Sequence, residues 1–306
     1  MSLLQSLTGH LRGLARARSL PSYAALQGLM TRYQTKDLVN VDRKAFRGKI
    51  DAFLALRDAA MEGFADAERQ RELSVQFHWG HDHDFGDFAL QGRMADRHVY
   101  LLAAFRDRFG ALPRSLEGRR VLDVGCWTGG TSLLLCALGA QVVAIEEVKK
   151  YSDCLAYLKH AFNLEKLEVR NLSLYECATA DFQDAFDFVL FAGVLYHISD
   201  PVLALRISFN ALKDGGTCLL ETMAARSRQR ILEYWGPSAR VTTPKGAVSG
   251  GWNWYVPSSR ALAQMLADVG YEDIAVQRRG DRAYAVARRR QHKDIMRGGL
   301  SVRNTR

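Results

Sequence analysis

Residues 121–132 read "VLDVGCWTGGTS", an apolar run interrupted by an aspartate, then three glycines within six residues, then helix-forming letters. A strand that passes through a glycine turn into a helix lets backbone N–H groups approach a ligand at the helix start. One letter departs from such turns. In a dinucleotide turn, G-x-G-x-x-G, the second glycine admits the pyrophosphate, and here Trp127 stands in its place. The spacing Asp123-x-Gly125-x-x-x-Gly129 suits instead a ligand with a cationic amino-acid end, because a carboxylate beside an ammonium or sulfonium is electrostatically favoured.

Outward from this turn, short apolar runs alternate with helical patterns. Strands are expected at 119–125, 141–146, 166–171, 187–193 and 217–223, and helices at 129–138, 149–163 and 201–213. A closing strand pair, 271–277 and 282–288, turns at Gly280-Asp281 and reads as a hairpin at a sheet edge. The alternation predicts an α/β fold, a mostly parallel sheet with helices on both faces. Ligands of such sheets lie beyond the carboxyl ends of the strands. The second strand ends at Glu146, 21 residues past Gly125, where an acidic side chain meets ribose hydroxyls in this architecture. A nucleoside with a cationic amino-acid end and no phosphate is S-adenosylmethionine.

The front of the chain has no strand pattern. Helices are expected at 2–17, 22–34, 43–68 and 97–109, separated by "SVQFHWGHDHDFGDFALQGRMAD" at 74–96, rich in His, Asp, Gly and aromatics. The chain thus divides into a helical region with a lid segment (1–109), a ligand-binding domain (110–290) and a basic tail (291–306). Leucines at 3, 4, 7, 11 and 14 form one helical stripe, suited to packing on the chain's own domain or on a partner subunit, hence a homo-oligomer.

At 306 residues, 48% hydrophobic and 25% charged, the composition is that of a soluble globular protein. The longest apolar run, Phe188 to Ile198, is too short to span a bilayer. The start lacks a compact apolar stretch with a cleavage site, and five scattered cysteines without C-x-x-C spacing fit a reducing compartment, so a cytoplasmic location is expected. The net charge of +9 is uneven: residues 1–60 carry +6 and residues 278–306 carry +8, leaving −5 between them. Basic ends can grip nucleic-acid phosphates or be solvated tails.

The turn and the segment 193–223, "GVLYHISDPVLALRISFNALKDGGTCLLETM", resemble the class I S-adenosylmethionine-dependent methyltransferases. The G-V-L-Y-H turn after strand four, the L-E-T ending strand five and "WYVPSSRALAQMLADVGYEDI" at 254–274 are similar to the branch that holds the tRNA wobble-uridine (5-carboxymethoxyuridine) carboxymethyltransferases. The likeness runs from about residue 85 to 288. It implies a Rossmann-like seven-stranded sheet behind a helical front, with S-adenosyl-L-methionine as cofactor. It places Asp123, Gly125 and Gly129 beside the methionine part, Glu146 at the ribose, Leu172 and Ser173 at the adenine, and Tyr196 and His197 near the transferred group. Two departures stand out. Those enzymes carry glycine at the place of Trp127. They also hold a carboxylated cofactor through a lysine before strand one, whereas residues 78–88 contain no lysine or arginine. Plain methyl transfer is therefore expected.

His197 can deprotonate an acceptor or fix its turn. Tyr196 can serve as a pocket wall or donor, and the Trp127 indole as another wall. His78, His81, His83, Asp82 and Asp84 lack a helical i, i+4 histidine pair such as that of H-E-x-x-H and suit a lid or a solvated loop, with no metal, from which Trp79, Phe85 and Phe88 can close over the cofactor. Trp252, Trp254 and Tyr255, just before a helix start at Pro257-Ser258, can line an acceptor pocket. Arg226, Arg228, Arg230 and Arg240 can bind an acceptor carboxylate or phosphate or be solvated. The expectation is a methyltransferase acting on a small molecule. The alternatives are a tRNA-modifying enzyme and a non-catalytic adenosyl-binding subunit.

Overall fold

In a computed structural model, which describes residues 20–56, 77–236, 240–242, 248–250 and 253–290, the apolar runs from residue 120 onward pair into one seven-stranded sheet. Its strands are β3 (Arg120–Val124), β4 (Gln141–Ile145), β5 (Leu167–Arg170), β6 (Phe186–Ala192), β7 (Leu212–Met223), β12 (Glu272–Arg279) and β13 (Arg282–Arg288), in the order β12-β13-β7-β6-β3-β4-β5. The five strands from β3 to β7 pair in parallel, and β13 runs antiparallel to both β7 and β12. The edge hairpin turns at Gly280, whose φ of 65° requires no side chain. The expected Rossmann-like sheet is thus present, strand for strand.

Helices α3 (Arg97–Asp107), α4 (Gly130–Ala137), α5 (Lys149–Ala161), α6 (Pro201–Ala211) and α7 (Ser259–Val269) clothe the sheet. The central strand β6 is buried along most of its length because apolar cores cover both faces, as parallel sheets require. One core joins β6 and β7 to α6 and α7; the other joins the opposite face to α3 and α4. Local chemistry ends the helices where the sequence signals it. Pro201 opens α6, Ser258 caps α7 by accepting from the Ala261 N–H at 3.1 Å, and Gly270 closes it at φ 111°.

In the front region, α1 (Tyr23–Leu29) is shorter than the expected 22–34 and tightens into a 3-10 turn at Met30–Arg32. α2 (Arg43–Ala55) fills the first half of the expected 43–68 helix; residues 57–76 lie outside the described residues, as do the leucine stripe of 2–17 and the tail 291–306. Leu20, Tyr23 and Leu26 share the core of α3, α4 and the sheet, while Phe46, Ile50 and Phe53 of α2 pack with Phe77, Trp79 and Phe85 against α5. The segment 74–96, read as a loop, holds a two-stranded hairpin, β1 (His83–Asp84) with β2 (Ala89–Leu90). A second unforeseen pair, β8 (Leu232–Tyr234) with β11 (Tyr255–Pro257), and a third, β9 (Arg240–Thr242) with β10 (Val248–Gly250), follow β7. Strands of two or three residues are too short to show a period of two. Among the described residues no helix is long and apolar enough to cross a membrane.

Candidate active site

The carboxyl ends of β3, β4 and β5 are stitched into one rim. Gly125 and Cys126 both donate backbone N–H groups to the Ile145 carbonyl, at 3.0 and 3.1 Å. Glu146 receives the Trp127 N–H on Oε2 at 2.9 Å and the Val148 N–H on Oε1 at 3.0 Å. Asn171, just past β5, donates Nδ2 to the Glu146 and Glu147 carbonyls at 2.8 and 3.0 Å. The glycine turn therefore hangs on the acidic end of the neighbouring strand. Trp127 adopts φ 53°, the left-handed conformation that glycine supplies without strain.

Asp123 is buried beneath this turn, where its Oδ2 accepts from Thr131 Oγ1 at 2.8 Å and Ser132 Oγ at 2.6 Å. Burial pushes its carboxyl up to about 6, against the pull of those two hydroxyls. Burial likewise raises Glu146 to about 7, opposed by the Val148 and Trp127 N–H groups. Burial thus disfavours the charged form of both carboxyls, and a positively charged ligand would favour their ionised forms.

Beyond the rim lies a cavity of about 540 Å³, within the range of small-molecule and cofactor sites. Asp123, Gly125, Trp127, Glu146, Leu172, Ser173, Tyr196 and His197 all line it. Tyr196 and His197 sit on the 3-10 turn Leu195–His197 after β6, their rings 4.0 Å apart. The residues expected at the cofactor and at the transferred group thus face a common space, and they are of the kinds that fit S-adenosylmethionine: a glycine turn, acceptors for hydroxyls and carboxylates for a cationic end.

Other expected residues are placed elsewhere. Gly129 does not line the cavity; a Cβ there would stand 2.2 Å from Leu155 Cδ1, so this glycine serves the packing of α4 on α5. Trp79 is buried in the aromatic cluster with Phe77 and Phe85. Phe85 and Phe88 join the same cluster, packed on Phe46 of α2, instead of closing over the cavity. Trp254 and Tyr255 stand behind the cavity wall: the Trp254 N–H donates to the Tyr196 carbonyl at 2.8 Å, and Tyr255 packs on Tyr234. Trp252 lies outside the described residues. The His/Asp segment divides. His78 and His81 line the cavity, whereas His83 is buried, with Nε2 3.0 Å from the Tyr33 carbonyl. Asp82 and Asp84 accept from the Gly92 and Gly86 N–H groups. No group of three His, Cys, Asp or Glu among the described residues is arranged to hold a metal.

The residues not foreseen form a charged knot at the end of β7. Glu221, 1% exposed, is paired with both Arg97 of α3 and Arg282 of β13; Arg282 Nη2 reaches Oε2 at 2.7 Å. The Arg282 guanidinium also lies 4.8 Å over the Tyr196 ring. All four side chains line the cavity, as do Trp235 and Asn253 from the segments around β8 and β11. The glutamate of "LLETM" was visible as a strand end, but its partners come from residues 124 and 61 positions away.

A family described as "Methyltransferase domain" matches residues 93–276, more than half of the chain. Among curated proteins, the chain is 29% identical over 160 residues to a tRNA U34 carboxymethyltransferase of Desulfotalea psychrophila, covering 52% of this chain and 47% of that protein. It is 28% identical over 208 residues to one of Methylococcus capsulatus, covering 67% and 60%. The chain spans about half the length of the first of these relatives. Among solved structures, the N-terminal domain of EvdMO1 with SAH bound superposes with a TM-score of 0.51 at 17% identity, over 82% of this chain and 98% of that one.

Proposed function

Because the chain belongs to the S-adenosylmethionine-dependent methyltransferases, we propose that it transfers the cofactor's methyl group to an O, N or S nucleophile of a small molecule. When bound, the cofactor supplies a methyl group made electrophilic by the sulfonium. The residues of this chain bind, orient and enclose. Asp123 and Glu146 provide the carboxylates of the cofactor side, and the glycine turn offers close backbone approach. Tyr196 and His197 face the acceptor. His197 can take a proton from an O–H or N–H acceptor, while an acceptor already deprotonated needs only alignment.

The observation that carries the small-molecule reading is the wall above Tyr196. Trp235 and Asn253 line the cavity beside the strand pair of β8 and β11, next to the Trp254 N–H that is tied to the Tyr196 carbonyl, which suits an acceptor held among side chains. Methyl transfer is preferred to carboxymethyl transfer because Arg97 and Arg282, which face the cavity at the end of β7, are already paired with Glu221.

Modification of tRNA is the second reading, favoured by the activity for which the curated relatives are named and by exposed side chains after β7. Arg226, Arg228 and Arg230 are exposed in this stretch, as is Tyr234 of β8 at 64%. Exposed aromatics among arginines suit stacked bases and phosphates. Incubation with methyl-tritiated cofactor, using a metabolite extract and bulk tRNA in separate reactions, tests the two. Label in the small-molecule fraction is expected; label in tRNA alone overturns the first reading in favour of the second.

A further inference from the structure

The strand pair of β8 and β11 is tied down at both ends. At its root the Ser258 hydroxyl, fully buried, caps α7 and also reaches the other strand. Its Oγ accepts the Ile231 N–H at 3.3 Å and donates to the Gln229 carbonyl at 2.6 Å. The Ser258 N–H donates to the Ile231 carbonyl at 2.9 Å, and the Ala225 N–H to the Pro257 carbonyl at 3.0 Å. At the far end the Trp235 N–H donates to the Trp254 carbonyl at 2.9 Å, and the Trp254 N–H donates to the Tyr196 carbonyl at 2.8 Å. Two backbone hydrogen bonds thus link Trp235 to Tyr196, and both side chains line the cavity. A wall held in this way is formed before a ligand arrives, which avoids the entropy lost in ordering a loop.

The side chains of this wall offer flat apolar faces and one neutral polar group. The Trp235 indole donates Nε1–H to the exposed carboxylate of Glu233 at 3.4 Å, and Glu233 does not line the cavity. The indole N–H is therefore satisfied elsewhere, and the ring is what remains for a ligand. Met223, at the end of β7, lines the same cavity with a polarizable thioether suited to aromatic contacts. Asn253 donates Nδ2 to Met223 Sδ at 3.9 Å. A thioether is a weak acceptor, so the amide keeps its carbonyl and its second N–H for a ligand. Such a lining suits a flat ring with polar groups on its edge. A ring stacks on an indole as nucleobases stack on aromatic platforms, whereas an aliphatic chain gains burial alone.

We propose that the acceptor is an aromatic or heteroaromatic small molecule whose reacting O–H or N–H lies on the ring edge. Trp235 is the platform for the ring, and Asn253 binds a polar group on its edge. The inference rests on the small-molecule reading above and narrows it to a substrate class. A lone pair of the acceptor's O or N forms the new bond to the methyl carbon as the carbon–sulfur bond breaks. The electrons of that bond stay on sulfur, and the acceptor's proton passes to His197 or to solvent.

The full chain, incubated with methyl-tritiated cofactor and a metabolite extract, tests the proposal once the labelled product is isolated. Near-ultraviolet absorbance and mass spectrometry of that product should show an aromatic ring. Trp235→Leu should lower kcat/KM for the identified acceptor about tenfold, mainly through KM, with an unchanged cofactor Kd in calorimetry. Trp235→Phe, which keeps a ring, should stay within about threefold of the wild type. Trp235→Met, apolar and adaptable, supplies the same comparison should Trp235→Leu not fold. Asn253→Ala should raise KM about fivefold, the ratio of one neutral hydrogen bond. A labelled product without an aromatic ring overturns this inference and leaves the small-molecule reading standing. Wild-type kcat/KM in Trp235→Leu overturns it too. A fall in cofactor affinity as large as the fall in kcat/KM does the same, by assigning Trp235 to the cofactor. No label in the small-molecule fraction overturns the small-molecule reading itself, and this inference with it.

Discussion

The backbone N–H of Trp127 donates to Glu146 Oε2 across 2.9 Å, joining the glycine turn after β3 to the acidic end of β4. Glu146 thus has a structural duty besides any bond to a ligand. Glu146→Ala frees two buried backbone donors, Trp127 and Val148, and each loss is worth about 1–3 kcal/mol. The variant is expected to unfold earlier in calorimetry and to bind the cofactor at least about tenfold more weakly. Unchanged affinity would separate this carboxylate from the ligand.

The raised carboxyls make stability depend on pH. A group whose folded-state pKa lies above its unfolded value favours the folded chain at low pH, and that contribution is lost as pH rises through the folded value. For Asp123 the window runs from the ordinary carboxyl range up to about 6. The stability advantage of wild type over Asp123→Asn, followed by thermal melts of ligand-free protein, should therefore shrink between about pH 4 and 7. A constant difference would mean an unshifted carboxyl. Cofactor binding should run the other way, tightening with pH as a cationic ligand favours the ionised carboxylates.

Gly129 offers a test of packing against ligand contact. Gly129→Ala places a Cβ 2.2 Å from Leu155 Cδ1 at a φ of 84°, for an expected loss of about 2 kcal/mol or more. Gly129→Ala with Leu155→Ala should recover the part due to collision, and the folded protein should keep its cofactor affinity. A native melting temperature with weakened binding would return Gly129 to the ligand.

Trp127→Gly sets two effects against each other. Relief of the left-handed backbone favours the variant by about 1 kcal/mol, while loss of the indole edge on Tyr151 and His81 opposes it. Stability should therefore move little, and cofactor affinity should fall about tenfold if the indole is a pocket wall. Titration calorimetry decides; full affinity in the variant excludes that role.

Glu221 holds two guanidiniums in a buried site. Removing one member of such a group leaves uncompensated charge, at a loss of about 3–5 kcal/mol. Glu221→Ala should therefore melt well below wild type. A loss under about 1 kcal/mol would show that Arg97 and Arg282 find water when unpaired.

The strands of the sheet and the position of the turn were legible in the sequence because each rests on local chemistry; the order of the strands was not. Apolar runs such as "FDFVLFA" bury on both faces wherever they are placed, and glycine is required where the backbone turns left-handed at Gly125 and Gly129. The placing of Asp123 and Glu146 at the ends of two strands was legible in the same way. Only the tertiary structure showed that Gly129 answers to Leu155, that Trp79 belongs to an aromatic core, and that Glu221 collects Arg97 and Arg282. It alone brought His81 and His98 together from the segment before the β1–β2 hairpin and from a helix. Those relationships depend on which side chains meet across the folded surface, and no periodicity along the chain encodes a contact between residues 61 to 124 positions apart.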